Sequence, residues 1–286
     1  MNHSPFWLAL VIGNSRWHWG CFKEKRWLGG WHTPWVSADQ IQALKSSYFS
    51  LETWQNLGVS VPLPPAAAND HVPPELWVAS VVSDPLESWQ DYAAVQMVET
   101  SRVPLLGLYD TFGVDRALTL LGAGHTYGWP VLVIDGGTAL TFTAGDNNHL
   151  LGGAILPGLS LQFKSLYQST DQLPLLRPDL GQPDLGQPER VTLPARWAKT
   201  TAEAMASGVI YTQLASIRDF ITDWQRHLPS GQVIFTGGDG HFLMAALIQQ
   251  DQNLAQLVST GLIKADPNLM FWGIRACRTA RAIPSL

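Results

Sequence analysis

Short apolar runs alternate with amphipathic stretches along the chain, and this alternation is typical of an α/β architecture. Apolar runs predict buried strands, whereas apolar residues at intervals of three and four predict amphipathic helices. A tandem copy of Pro-Asp-Leu-Gly-Gln at residues 178–187 predicts an exposed loop. The predicted strands cover residues 6–12, 76–82, 150–156 and 233–235. The predicted helices cover residues 38–50, 159–168 and 201–225.

Two segments of the chain, residues 8–15 and residues 132–139, resemble each other. Each is an apolar strand that runs into a glycine-containing turn with small polar residues, and a second strand follows each turn. The alignment sets Gly13 against Gly137. Repetition of one supersecondary unit at this wide spacing predicts a duplicated domain. The predicted domains are residues 1–121, with the first turn, and residues 122–286, with the second.

The composition is that of a globular protein. The 286 residues are 46% hydrophobic and 14% charged, which allows a large core. A formal net charge of -5 argues against broad binding to nucleic acid, which needs a basic surface. Cys21 and Cys277 lack a metal-ligand spacing and are expected to be reduced thiols. Because no apolar run reaches the ~20 residues of a membrane helix, we expect a cytoplasmic protein with neither membrane nor nucleic acid as partner.

The first turn, Gly13-Asn14-Ser15, carries groups that suit a phosphate. Glycine lets the backbone approach an anion closely, and backbone N–H groups together with the Asn14 and Ser15 side chains can donate hydrogen bonds to it. The same composition is that of an ordinary hairpin turn, and for this turn taken alone the hairpin interpretation is favoured.

The second turn, at residues 135–138, adds a carboxylate to the same arrangement. Asp135 at a strand end can hold a cation that neutralises phosphate charge, and Thr138 can donate to a phosphate oxygen. The match to the first turn gives the functional interpretation of the second turn the same weight as that of an ordinary turn.

A third glycine-rich turn, Thr236-Gly237-Gly238, follows a predicted buried strand. It suits a nucleotide that lies against the backbone near a helix N-terminus. The alternative is a helix start capped by Asp239 without any ligand.

Residues 113–116 place an acid beside a guanidinium. If both side chains face one cleft, Asp115 can accept a proton from a substrate hydroxyl while Arg116 binds a carboxylate. The alternative is a surface ion pair at the start of a helix.

Taken in order along the chain, these residues resemble the type III pantothenate kinases, a family of the sugar kinase/heat-shock cognate/actin superfamily. The family patterns Asp-x-Gly-Asn-Thr/Ser, Gly-x-Asp-Arg and Asp-x-Gly-Thr-Ala correspond to residues 11–15, 113–116 and 135–139. Because the matches keep their order over nearly the whole chain, the resemblance is more specific than any one motif. Further matches are residues 152–158, 170–174 and 236–238, Thr201 with Ala204 and Gly208, and the closing segment 266–269 with Gly273.

The resemblance implies two related actin/ribonuclease H-like domains with a nucleotide cleft between them, and phosphorylation of pantothenate by ATP, the first step of coenzyme A synthesis. It implies ATP with Mg2+, a monovalent cation (K+ or NH4+) at Asp135, Asp115 as general base, and a homodimer in which Thr201 reaches the partner's substrate. The implied ATP-binding residues are Gly13, Asn14, Ser15, Arg16, Thr138, Gly237 and Gly238. The implied substrate-binding residues are Tyr109, Gly113, Val114, Asp115, Arg116 and Thr201.

The chain departs from the family pattern at two positions. Val11 stands where the family has its first aspartate, and Thr200 stands where an asparagine precedes the helix threonine. The change at Val11 favours an alternative function, a catalytically impaired homologue that acts as a binding or regulatory protein, since some members of the family are named as accessory transcription factors. Another phosphotransferase of the superfamily, such as a sugar or acetate kinase, is the remaining alternative, but those relatives do not share the pattern at residues 113–116.

Overall fold

The computed structural model of the protein describes residues 6–64, 72–82, 87–176 and 191–281. The tandem repeat at residues 178–187 lies outside these ranges. The chain divides into two compact units: the first is Met1–Gly122 with Met270–Leu286, and the second is Ala123–Leu269.

The first unit contains a five-stranded sheet of order β3-β2-β1-β4-β5. β1 pairs antiparallel with β2, and β2 with β3, whereas β1 pairs parallel with β4, and β4 with β5. The predicted strands at residues 6–12 and 76–82 are confirmed within two residues at each end. The strands are β1 Trp7–Ile12, β2 Trp17–Lys23, β3 Arg26–Thr33, β4 Leu76–Ser80 and β5 Val95–Met97.

The helix predicted over residues 38–50 is two helices, α1 Ala38–Ser46 and α2 Leu51–Asn56. The chain leaves the helical path at Tyr48 and Phe49, whose φ angles are 51° and 61°. Phe49 N still donates to the carbonyl of Leu44, so this turn closes α1 before Ser50 caps α2. Left-handed φ values at residues with a Cβ are uncommon, and no apolar periodicity signals them.

One face of this sheet is covered by an aromatic core. Five tryptophans belong to it, and the ring centroids of Trp19 and Trp54 lie 5.1 Å apart. Trp19 Nε1 donates to Thr33 Oγ1 at 3.1 Å, which satisfies one buried indole. The tryptophans of this core are Trp17, Trp19, Trp31, Trp54 and Trp89.

The other face carries the last helix of the chain, α8 Leu269–Arg281. A Cβ on Gly273 would lie 2.1 Å from the carbonyl oxygen of Leu118, so α8 lies directly on α3, Val114–Tyr127. Arg278 donates to Glu75 at 2.8 Å and stacks over the Trp7 ring. These contacts group the chain from Met270 onward with the first unit, whereas the sequence-based division placed everything after residue 121 in the second domain.

The second unit repeats the topology of the first. Its sheet has the order β8-β7-β6-β9-β10, with β6–β7 and β7–β8 antiparallel and β6–β9 and β9–β10 parallel. The fold is therefore a duplicated α/β unit of the actin/ribonuclease H-like class. Its strands are β6 Val131–Gly136, β7 Ala139–Asp146, β8 His149–Pro157, β9 Gln232–Thr236 and β10 Ile263–Ala265.

An aliphatic core joins this sheet to the four helices α4 Leu159–Gln168, α5 Thr201–His227, α6 Gly240–Gln250 and α7 Gln252–Ser259. α4 and α5 confirm the helices predicted at residues 159–168 and 201–225, the second with two additional residues at its C-terminus. None of the helices within the described ranges has both the length and the apolar character needed to cross a membrane.

Candidate active site

The first turn joins β1 to β2 and is a true hairpin turn. Gly13 N donates to the carbonyl of Arg16 at 3.1 Å, which closes the turn. Asn14, Ser15 and Arg16 are all exposed at its tip. The hairpin interpretation is thus correct for the backbone, and the polar side chains that suit a phosphate point away from the core.

Val11 occupies the position in β1 that Asp135 occupies in β6. Each is the penultimate residue of a central strand, with one antiparallel and one parallel neighbour. Val11 is only 1% exposed, whereas Asp135 is half-buried. The alignment of the two repeats is confirmed, and the first unit carries an apolar side chain where the second carries a carboxylate.

Two histidines that the sequence analysis did not single out lie beside the first turn. His18 pairs with Val11 across β1 and β2, and with His32 across β2 and β3. The two imidazole rings are nearly perpendicular, with centroids 4.7 Å apart. A Cβ on Gly13 would lie 3.8 Å from His18 Nε2, so this edge of the ring faces the turn. The strand alternation, which puts His18 on the face of Val11, is the signal that could have found it.

Both of these histidines are neutral at pH 7. Burial, the neighbouring His32 and Arg16 lower the pKa of His18 to about 4. Burial and Arg16 also lower the pKa of His32. A neutral imidazole has one nitrogen free to accept a hydrogen bond or bind a metal.

The second and third turns form a single surface within the second unit. Asp239 N donates to the carbonyl of Gly136 at 2.8 Å, which ties the turn after β9 to the end of β6. Gly237 has a φ of 80°, and a Cβ there would lie 2.2 Å from Oδ1 of Asp135. Asp239 stands at the N-cap of α6, but its side chain makes no capping hydrogen bond. The sequence predicted these turns separately, and the parallel β6–β9 pair brings them together.

Gly158, the residue before α4, packs against the backbone of the second turn. Gly158 N donates to the carbonyl of Thr138 at 3.0 Å, and a Cβ on Gly158 would lie 2.2 Å from the carbonyl oxygen of Gly137. The amides of Gln162 and Gln213 both donate to the Pro157 carbonyl at 2.9 Å. The matched pattern at residues 152–158 therefore holds the backbone of the second turn, and the exposed Thr138 side chain stands at its tip.

Asp115 and Arg116 lie in the first turn of α3. Gly113 accepts the first helical hydrogen bond, and Asp115 Oδ1 accepts from Arg116 N at 2.8 Å. The positive end of the helix dipole stabilises a carboxylate at this place. Arg116 is only 7% exposed, and its guanidinium lies 4.5 Å over the Phe112 ring and donates to the Tyr109 hydroxyl at 3.1 Å. The surface ion-pair interpretation is therefore wrong for Arg116, because its side chain is buried among aromatic residues.

Thr201 is exposed at the first residue of α5, and Thr200 is the N-cap of this helix. Thr200 Oγ1 accepts from the backbone of Glu203 and donates to its carboxylate at 2.9 Å. The departure from the family's asparagine thus replaces one good capping residue by another.

The duplicated sheet with a glycine turn after each central strand is the fold of the actin/ribonuclease H-like class. A solved structure described as a Baf family transcriptional activator from Campylobacter jejuni shows the same fold, with a TM-score of 0.55 at 18% identity over 96% of this chain and 98% of that one.

The family follows from the sequence itself. Residues 7–223 match the model of the type III pantothenate kinase family, and the chain belongs to this family. Relatives named type III pantothenate kinase include those of a Nostoc species, 42% identical over 94% of this chain and 93% of the relative, and of a Synechocystis species, 38% identical over 94% and 89%. The relatives give no support to the alternative of an impaired regulatory homologue.

Alanine substitutions at the two glycines of the third turn, Gly237 and Gly238, test its geometry. We expect Gly237→Ala to lower the melting temperature of the free protein and to displace Asp135, because a Cβ there meets the carboxylate and the φ of 80° disfavours alanine. Gly238→Ala, whose Cβ meets nothing within 4 Å, should leave the melting temperature unchanged and weaken ADP binding only where a nucleotide lies against the turn. Thermal unfolding and calorimetric ADP titration measure both effects. Unchanged ADP affinity in Gly238→Ala would contradict the nucleotide interpretation of this residue.

Proposed function

We propose that the protein transfers the γ-phosphoryl group of ATP to the primary hydroxyl of pantothenate, as the first step of coenzyme A synthesis in the cytoplasm. Membership of the type III pantothenate kinase family carries this proposal. The pair of phosphate-type turns in a duplicated fold and the buried Arg116 support it. Both cysteines lie buried and unpaired, as expected for thiols in a reducing compartment.

The proposed reaction is a single displacement. The substrate hydroxyl oxygen attacks the γ-phosphorus, its proton passes to Asp115, and the bond from the γ-phosphorus to the bridging oxygen breaks to release ADP. Arg116 binds the pantothenate carboxylate in this proposal, since a guanidinium presents a planar fork of donors that matches a carboxylate. Gly113, Val114 and Asp115 form the helix start against which the substrate lies.

The ATP phosphates lie against backbone N–H groups and small side chains in this proposal. Gly13, Asn14, Ser15 and Arg16 serve in the first unit. Thr138, Gly237 and Gly238 serve in the second. A divalent metal ion, Mg2+ by default, supplies positive charge that neutralises the phosphates. The half-buried carboxylate of Asp135 would hold the monovalent cation, because a single carboxylate suits a weakly bound ion.

The first test is turnover. We expect ADP release from ATP only when pantothenate is present, with stimulation by a monovalent cation (potassium or ammonium), because the Asp135 carboxylate offers a place for a weakly held ion beside the phosphates. A coupled ADP assay with pantothenate, with a sugar and with acetate measures this. Equal ADP release without pantothenate would overturn the proposed function, and release dependent on a sugar or acetate would favour the other phosphotransferase.

A second test concerns the base. Asp115→Asn should lower kcat by ~10²–10⁴-fold while ADP still binds, because the side chain keeps its shape and loses only its proton affinity. Asp110→Asn removes an exposed carboxylate from the preceding loop and serves as the matched control with little change. A loss in Asp115→Asn below tenfold would assign this residue a structural role.

We also propose a homodimer in which Thr201 contacts the partner's substrate. Trp197 is 88% exposed only four residues before Thr201. The preceding segment is held firmly, because Ser207 donates to the carbonyl of Arg196 at 2.8 Å and the Arg196 guanidinium stacks 4.0 Å over the Tyr211 ring. A large apolar side chain presented on a fixed backbone suits burial against a second copy of the chain.

Complementation tests this arrangement. Co-expressed Asp115→Asn and Thr201→Ala chains should recover about a quarter of wild-type activity, since half of randomly paired dimers are mixed and one of their two sites is complete. The matched control pairs wild type with the double variant Asp115→Asn/Thr201→Ala, in which mixed dimers should contain no complete site. No recovery in the first pair, with about half activity in the second, would show that both residues serve the same subunit.

A further inference from the structure

The strand before the first turn has Val11 where the family pattern has an aspartate. An imidazole, which is a side chain able to bind metals, lies beside this position. Val11 is buried and apolar, so it offers nothing to a cation or a metal-bound water. Its direct cross-strand partner is His18, and side chains of paired residues stand about 5 Å apart on one face. The Nε2 edge of His18 faces Gly13, at 3.8 Å from a Cβ placed there. An imidazole thus stands between the position of the missing carboxylate and the turn.

We propose that His18 binds the divalent cation of the metal–ATP complex through Nε2, in place of the family's first carboxylate. This inference rests on the proposed function of the turn as an ATP site. His32 is a positioning residue, because its ring meets that of His18 edge-on and fixes the orientation.

The chemistry of His18 suits this role. Among the residues that the structure describes, no group forms a hydrogen bond with either of its ring nitrogens, so neither nitrogen is engaged by the fold as those of a core histidine usually are.

Arg16, at the end of the same turn, places a positive charge near His18 and His32. It is exposed, and within the described ranges no carboxylate lies at ion-pair distance from it. Its guanidinium therefore remains available for phosphate oxygens, while the neutral His18 nitrogen remains available for the cation that those phosphates carry.

The exchange of an oxygen ligand for a nitrogen ligand changes the preferred ion. Mg2+ favours oxygen ligands most strongly, and the affinity for an imidazole nitrogen increases from Mg2+ through Mn2+ to Co2+. The wild-type protein should therefore bind a non-hydrolysable ATP analogue more tightly with Mn2+ or Co2+ than with Mg2+. In His18→Ala the affinity with Mn2+ or Co2+ should fall about tenfold, and the affinity with Mg2+ by much less.

The experiment is calorimetric titration of β,γ-imido-ATP with each of the three ions, accompanied by electron spin-echo spectroscopy of the Mn2+ complex. We expect an imidazole nitrogen coupling in the wild type and in the control His149→Ala, an exposed histidine on β8, and its loss in His18→Ala. His18→Gln, which keeps the side-chain volume, repeats the measurement should the alanine variant lose its fold. His32→Ala should weaken the coupling without abolishing it.

Two results would overturn the inference: equal affinities for the three metal complexes in wild type and in the His18 variants, or a nitrogen coupling that persists without His18. The readouts do not depend on turnover. A protein that lacks pantothenate-dependent ADP release but keeps the His18-dependent metal preference would refute the proposed function and support the inference. An active kinase without that preference would do the reverse.

Discussion

The backbone amide of Asp239 donates a hydrogen bond to the carbonyl of Gly136, and this contact fixes the distance between the turns that follow β6 and β9. It is possible only because Gly136 and Gly237 have no Cβ, since one on Gly237 would overlap the Asp135 carboxylate. Oδ1 of Asp135 therefore lies close to the Gly237 backbone, in space that a side chain at position 237 would fill. A charge that is already in place costs no reorganisation when a ligand's charge arrives. The two glycines thus allow the carboxylate and the two turns to lie side by side.

Much of this arrangement could be predicted from the sequence. The apolar runs located the central strands, and the repeat of residues 8–15 at 132–139 predicted a duplication that the identical strand orders confirm. These features follow from local burial and turn composition. The contact between the second and third turns could not be predicted in the same way, because it depends on β6 and β9 being neighbours, although a long segment separates them in the chain.

Other features escaped prediction because they depend on partners distant in sequence or on unusual backbone angles. The break between α1 and α2 arises from left-handed residues at positions 48 and 49. The place of α8 against the first unit depends on Gly273 allowing close approach to Leu118. The buried Arg116 guanidinium lies over the ring of Phe112, four residues earlier in the chain. No sequence motif predicts this cation–π contact. The position of His18 beside Val11 could be predicted only from the pairing of β1 with β2, because a histidine within an aromatic strand belongs to no recognisable motif.

The two units show how a duplicated fold can diverge in chemistry while its topology is kept. Paired residues on an antiparallel hairpin share one face, so a functional group can be supplied from either strand without any change in the backbone. In the second unit both strands of the hairpin carry a polar side chain, Asp135 on β6 and Thr141 opposite it on β7. In the first unit the residue on β1 is the apolar Val11, and only its partner on β2, His18, is polar. The strand face and the turn are the same in both cases, and the first unit keeps a polar atom only on the second strand of its hairpin. Loss of the aspartate therefore does not by itself make the first turn inert, because the hairpin geometry lets a side chain from the second strand reach the same place.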